Sequence, residues 1–235
     1  DVILLSSAGS TNYILKPGLK IGQLFGYKLL RQVNAKDANG NYIIAEADQK
    51  NYEVVSNGYV VDKATKRPVV DPVPQSFGDP NPKFNMSLIN DFSFNNYLTI
   101  NMQWDWVYGS HLYNQTKSWM YRDGISGDYE KSFAVNGETG AWTAFYRGIY
   151  QAGANNGTKD YFYEDASFVR LRNVSIGFDV AKFHPIKGIR KLQLIISGRN
   201  LFTLTNYSGF DPEINSGNTT GNTNSAWDRG TDHNT

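Results

Sequence analysis

Residues 84–108 read FNMSLINDFSFNNYLTINMQWDWVY. Before the Asn pair, the even positions are Phe84, Met86, Leu88, Asn90, Phe92 and Phe94, and the odd ones Asn85, Ser87, Ile89, Asp91 and Ser93. After Asn95–Asn96 the alternation resumes. Leu98, Ile100, Met102, Trp104, Trp106 and Tyr108 share one parity; Thr99, Asn101, Gln103 and Asp105 share the other. Side chains of a strand point alternately to its two faces, so this pattern predicts two half-buried strands joined by a tight turn. Each run has the ~9–11 residues of a tilted strand that crosses a bilayer.

Working outward, three more strands follow the same logic. Leu19, Ile21, Phe25, Tyr27 and Leu29 alternate with Lys20, Gly22, Gly26 and Lys28. Leu192, Leu194, Ile196, Phe202 and Leu204 alternate largely with Gln193, Ser197, Arg199 and Thr203. Over 167–180 the parity switches, from Val169 and Leu171 to Val174, Ile176, Phe178 and Val180. A β-bulge near Arg172–Asn173 reconciles the halves. A short strand at Val2–Leu5 is expected to pair with the one around Tyr13–Leu30. The links at 95–97 and 181–190 are short, whereas those at about 34–82, 110–165 and 206–235 are long and polar. Loops this long are uncommon in compact soluble domains. Short links alternating with long ones are the layout of an outer-membrane barrel, with short periplasmic turns and long external loops.

The composition agrees. Aromatics are abundant, with 15 Tyr, 13 Phe and 5 Trp beside 22 Gly, a mixture suited to pleated surfaces and turns. Mean hydropathy is −0.48, yet a membrane barrel hides its apolar residues in alternation. The formal net charge of +1 gives no basic excess for nucleic acid. The absence of cysteine excludes disulfides and thiolate metal sites from these 235 residues. His111, His184 and His233 lack metal-ligand spacing, and no nucleophile-elbow, P-loop or dinucleotide motif occurs, so no cofactor, no metal and no enzyme activity are expected. Asp211-Pro212-Glu213 reads as a turn.

Several residues stand out under the barrel reading. Trp104, Trp106 and Tyr108, near the far end of their strand, fit an aromatic girdle at the membrane interface. The other reading makes them the core of a sandwich. A charge facing lipid costs a few kcal/mol, so Arg170, Arg172 and Arg199 are predicted to face the barrel lumen. There they pair with carboxylates such as Asp105 or Asp179, or contact substrate. Trp119, Tyr121, Trp142, Tyr146 and Tyr150 lie in a long loop; they either stack on sugars or anchor a partner, or pack the loop against itself.

Four blocks carry a family resemblance. GQLFGYKL (22–29), FGDPNPKFNMSLINDFSFNNYLTINMQWDWVYG (77–109), DASFVRLRNVSIGFDV (165–180) and SGRNLFTLTNYSGFDPEI (197–214) resemble, in the same order, segments of SusC/RagA-type TonB-dependent transporters. The resemblance implies an all-β, up-and-down transmembrane barrel of roughly 22 strands with a plugged lumen, of which residues 1–235 hold about six. On this reading the chain is a C-terminal portion, a mature or cut segment, with plug domain and last strand absent. It implies TonB-dependent import of an oligosaccharide or peptide across the bacterial outer membrane. The partners implied are outer-membrane lipid, a SusD-like surface lipoprotein lid, and TonB acting through the plug. The long loops, including Trp119 and its companions, would then carry lid and substrate contacts. Asp37-Ala-Asn39-Gly40-Asn41-Tyr42 lacks a carboxylate and a glycine of the family's D-x-N-G-D-G turn, so no cation site is carried over to the 34–82 loop. The alternative from another class is a secreted soluble glycan-binding β-sandwich, which needs the even face of 84–108 buried against a second sheet.

Overall fold

The computed structural model describes residues 3–8, 11–15, 17–20, 23–151, 160–185, 187–213 and 231–232. Its strands in chain order are β1 (Ile3–Ala8), β2 (Thr11–Leu15), β3 (Gln23–Gly26), β4 (Tyr52–Val54), β5 (Val60–Asp62), β6 (Gln75–Gly78), β7 (Phe84–Phe94), β8 (Leu98–Tyr108), β9 (His111–Asn114), β10 (Phe133–Val135), β11 (Glu138–Gly140), β12 (Tyr163–Asp165), β13 (Phe168–Asp179), β14 (Gln193–Thr205) and β15 (Thr231–Asp232). The helices are α1 (Gln115–Asp123), α2 (Thr143–Gln151) and the single-turn α3 (Val180–Phe183). The chain divides into two compact units, Pro82–Ser110 with Asp165–Tyr207, and the remainder.

The first unit is an antiparallel sheet in the order β14-β13-β8-β7. Its strands are 11 to 13 residues long, and the register keeps the parities read from the sequence on opposite faces, with the switch in β13 at its bulge. At the β7–β8 turn Asn95 and Asn96 both take positive φ, 44° and 62°, and the Tyr97 N–H donates to the Phe94 carbonyl at 3.2 Å. This is a type I′ turn, whose hand matches the twist of the flanking strands; asparagine tolerates the left-handed conformation it demands. The predicted bulge is present. Between Leu171 and Asn173 the pairing shifts on both sides of β13: Arg172 is one residue more than β8 has between Gln103 and Trp104, whereas β14 sets two residues, Asn200 and Leu201, against it. The register also sorts the links by length. Phe94–Leu98 and Asp179–Gln193 close the short links at one end, while Tyr108, Phe168 and Thr205 mark the end from which the long segments leave.

The second unit is built from those long segments. It contains the sheet β1-β2-β3-β6, the hairpins β4-β5 and β10-β11, and a small sheet β12-β9-β15 in which β15 runs parallel to β9. The expected pairing near the chain start is the β1–β2 hairpin. The strand expected over 19–29 is shorter. The chain turns at 17–19, Ile21 and Gly22 lie outside the described residues, and β3 ends at Gly26. Beyond it Leu29 makes only an isolated bridge to Val70, and Leu29 and Leu30 are both buried, which strict alternation forbids. The segments read as open loops are largely folded. Asn114 caps α1 by accepting from the Lys117 N–H at 2.8 Å, and Gly124 ends it at φ 71°. Gly148 lets α2 approach Pro68; an added Cβ would meet the proline ring at 2.5 Å. Leu29, Tyr113, Tyr121, Phe145, Ile149 and Phe162 form the centre of this unit's core. Most of the expected 206–235 loop, with His233, lies outside the described residues.

Candidate functional site

The sheet presents two unlike faces. On one, the register builds rows across all four strands: Met86–Trp106–Val169–Leu204, Leu88–Trp104–Leu171–Phe202, Phe92–Ile100–Ile176–Ile196 and Phe94–Leu98–Phe178–Leu194. Much of this face is exposed. Leu88, Phe92, Leu194, Leu204 and, at 75%, Ile196 are exposed, while Leu171 on a central strand is buried. So large a contiguous apolar surface is an interaction surface rather than ordinary exposure.

Aromatic groups stand at both ends of this face. Phe84 packs on Trp106 and Tyr108 with ring centroids 5.0 and 5.4 Å apart, and Trp104 meets Phe202 at 5.4 Å. At the short-link end Tyr97, Phe178 and Phe183 pack together, with centroids 5.2 to 5.7 Å apart. The sequence reading missed this second group; the signal was Phe183 in a link already recognised as short.

The opposite face is mostly polar, although Ile89 and Ile195 are exposed on its edge strands. Its rows include Ser87–Asp105–Arg170–Thr203 and Asp91–Asn101–Ser175–Ser197. Arg172, displaced by the bulge, reaches Asp105 with Nε 2.7 Å from Oδ2. Asp105 also accepts from Ser87 Oγ at 2.8 Å and Gln103 Nε2 at 3.1 Å. Arg170 is buried and donates from Nε to Thr203 Oγ1 at 2.8 Å. Arg199 lies on the same face, opposite Asn173. The three arginines thus share the polar face, and Arg172 has the Asp105 partner; Asp179 instead caps α3.

The loop aromatics occupy two environments. Tyr121 and Tyr146 are buried. Tyr121 bonds to Asp128 and, at 2.6 Å, to Tyr161 Oη; Tyr146 Oη donates to the Lys131 carbonyl at 2.9 Å. Burial pushes the Tyr121 and Tyr161 hydroxyls well above the ordinary phenol range. For Asp128 burial acts upward, but the bonds from Lys131 and Tyr121 outweigh it and its carboxyl ends below the usual range. Trp119, Trp142 and Tyr150 are half-buried. Trp142 Nε1 donates to the Phe133 carbonyl at 2.9 Å, and Lys66 Nζ lies 4.9 Å from its ring. Arg122 lies 5.6 Å from the Trp119 ring.

A cavity of about 490 Å³ opens beside α1, lined by Asn114, Lys117, Met120, Asp128, Ser208 and Phe210 among others. Lys117 Nζ pairs with Glu164 at 2.9 Å, and Glu164 also accepts from the Ser208 backbone N–H at 2.8 Å. Its wall therefore combines internally matched charges with Met120 and the exposed Phe210 ring, a lining for a polar ligand that has an apolar face. No reading of the sequence singled these residues out, because they come from segments far apart in the chain. The Asp37 carboxylate is taken up by the backbone N–H groups of Asn41 and Asn39, at 2.8 and 2.9 Å, which lower its pKa. No cluster of three potential metal ligands occurs among the described residues, and none of the described helices is long and apolar enough to cross a membrane.

No family model matches the sequence. The chain is 32% identical over 143 residues to TonB-dependent receptor P3 of Formosa agariphila, covering 59% of this chain and 13% of that protein. It is 26% identical over 246 residues to TonB-dependent receptor P39 of the same bacterium, covering 88% of this chain and 23% of that protein. The chain thus spans less than a quarter of the length of these relatives. Its fold resembles a chain in the structure of the RagAB peptide transporter, with a TM-score of 0.51 at 14% identity, over 90% of this chain and 22% of that one. The resemblance to SusC/RagA-type TonB-dependent transporters holds in sequence and in fold.

Proposed function

We propose that these residues are barrel wall and external loops of a TonB-dependent importer in the bacterial outer membrane. The observation that carries this reading is the four-strand apolar face, exposed over much of its extent, with short links at one end of the sheet and long segments at the other. Lipid covers such a face, and the polar face with Arg170, Arg172 and Arg199 turns to the lumen. Trp104, Trp106 and Tyr108 lie at the outer membrane interface. A soluble sandwich would need a second sheet over the same rows, and their exposure speaks against it.

By resemblance, a SusD-like lipoprotein closes over the external loops and TonB acts through a plug carried elsewhere in the protein. The half-buried Trp119, Trp142 and Tyr150 and the cavity beside α1 are contact points for substrate or lid. The substrate is an oligosaccharide or a peptide, and the RagAB likeness favours including peptides. The test is to delete the gene for the full-length protein in its bacterium and measure uptake of labelled oligosaccharides and peptides. Loss of uptake of one class, reproduced when TonB is removed, supports the reading. Unchanged uptake of both, or a full-length protein that stays monodisperse without detergent, overturns it.

A further inference from the structure

The link between β13 and β14 reads VAKFHPIKGIRKL over 180–192. It holds Lys182, Lys187, Arg190 and Lys191 and no Asp or Glu, in a chain whose net charge is only +1. All four side chains are exposed, as is His184. Apolar residues are interleaved with them, and Phe183 at 61%, Ile189 at 44% and Leu192 at 40% are exposed as well. Phe183 packs on Phe178, which belongs to the last row of the apolar face. The basic patch therefore begins where that face stops.

A run of like charges is ordinarily a solvated surface. Two observations set this one apart. Cations alternate with exposed apolar side chains, the composition of segments that lie at a membrane surface. The link is also braced: Lys182 Nζ donates to the Asn96 carbonyl at 3.1 Å, and the Asp179 N–H donates to the Tyr97 carbonyl at 2.7 Å. The two short links are thus tied together at the rim of the apolar face.

We propose that this link docks the headgroups of anionic phospholipids in the leaflet at the short-link end of the sheet, the periplasmic leaflet in the barrel reading on which this inference rests. Lys187, Arg190 and Lys191 supply charge-assisted hydrogen bonds to the phosphodiester, while Phe183 and Ile189 lie beside the first part of the acyl chains.

The experiment uses the full-length protein in detergent, incubated with equal amounts of phosphatidylglycerol and phosphatidylcholine and read by native mass spectrometry. Phosphatidylglycerol adducts are expected to exceed phosphatidylcholine adducts several-fold at about 0.1 M salt, with the ratio falling as salt is raised. In the triple variant Lys187→Gln, Arg190→Gln, Lys191→Gln the ratio should approach one. These side chains are exposed, so the variant is expected to assemble; should it not, the salt dependence of the unsubstituted protein still decides. Equal adducts, or a preference untouched by both salt and the variant, would sink the proposal. If the protein needs detergent yet shows no preference, the headgroup site alone fails; if it needs no detergent, the barrel reading fails with it.

Discussion

Asp128 accepts from Tyr121 and pairs with Lys131, with Tyr161 Oη 3.5 Å away. Its carboxyl is held below the ordinary value of about 3.9. A carboxylate depressed in the folded state gives stability that is complete above its unfolded pKa and is lost as pH falls through the folded one. Hydrogen-exchange protection around Tyr121 and Tyr161 in the full-length protein should therefore drop below about pH 4. Asp128→Asn should lower protection at neutral pH and flatten that dependence; a wild-type protein equally protected on both sides of that value would contradict the account. Asp160 has the opposite sign. Burial raises its carboxyl against the pull of the Leu29 N–H and Arg31, so its stabilising share is present at low pH and lost as pH rises through the raised value. Acid loosening should thus begin at Asp128 and spare the Leu29–Asp160 contact. None of this was legible in the sequence. Trp119 and Tyr121 lie on α1, and Tyr146 and Tyr150 on α2, and how deeply each ring is buried is decided by long-range packing that no local pattern reveals.

Neighbouring residues of one strand give the sharpest test of the two faces. Ile196 and Ser197 are adjacent, yet Ile196 lies on the apolar face and Ser197 on the polar one. Ile196→Arg, one row in from the short-link end of that face, should cost more than about 1 kcal/mol if the face meets lipid, short of the ~2–4 kcal/mol of the midplane. It should lower the temperature at which the folded form is lost in gel-shift assays of the full-length protein. Ser197→Arg, on the face that already holds Arg172 and Arg199, should change stability by less than about 1 kcal/mol. Equal effects would contradict the assignment of faces. These strands were legible because β7, β8 and β14 hold largely to a period of two, and β13 does so on either side of its bulge, which was legible because the parity visibly switched. The helices were not. In α1 the apolar Trp119, Met120 and Tyr121 are consecutive, so no helical stripe shows, and only the Asn114 and Gly124 caps marked it. In α2, Phe145, Tyr146, Ile149 and Tyr150 do fall at helical spacing, a signal hidden in a stretch read as loop for its length and polarity.

Across the molecule, the barrel reading proposed above assigns the two ends of the sheet, with their unequal links, to two compartments. With Ile125→Cys, an exposed position in a long segment, a membrane-impermeant maleimide should label the full-length protein on intact cells beyond the unsubstituted background. With His184→Cys, in the short link, labelling should appear only after the outer membrane is permeabilised. The reverse order, or labelling of both on intact cells, would refute the topology. Link lengths were plain in the sequence. What could not be read was that the long segments fold into a unit with its own core, since its contacts join residues as distant as Leu29, Tyr121 and Phe162, pairings that no local pattern announces.

The extra residue in β13 has one more consequence. A strand of unbroken alternation is degenerate under translation: sliding it by two positions returns every side chain to its proper face, so facing preference alone admits several alignments. The break at Arg172 lifts that degeneracy, because any slide carries the break away from its place opposite Gln103 and Trp104 on one side and Arg199 and Phe202 on the other. Part of the strand would then present the wrong parity. A single inserted residue gives the sheet an origin from which every row is counted.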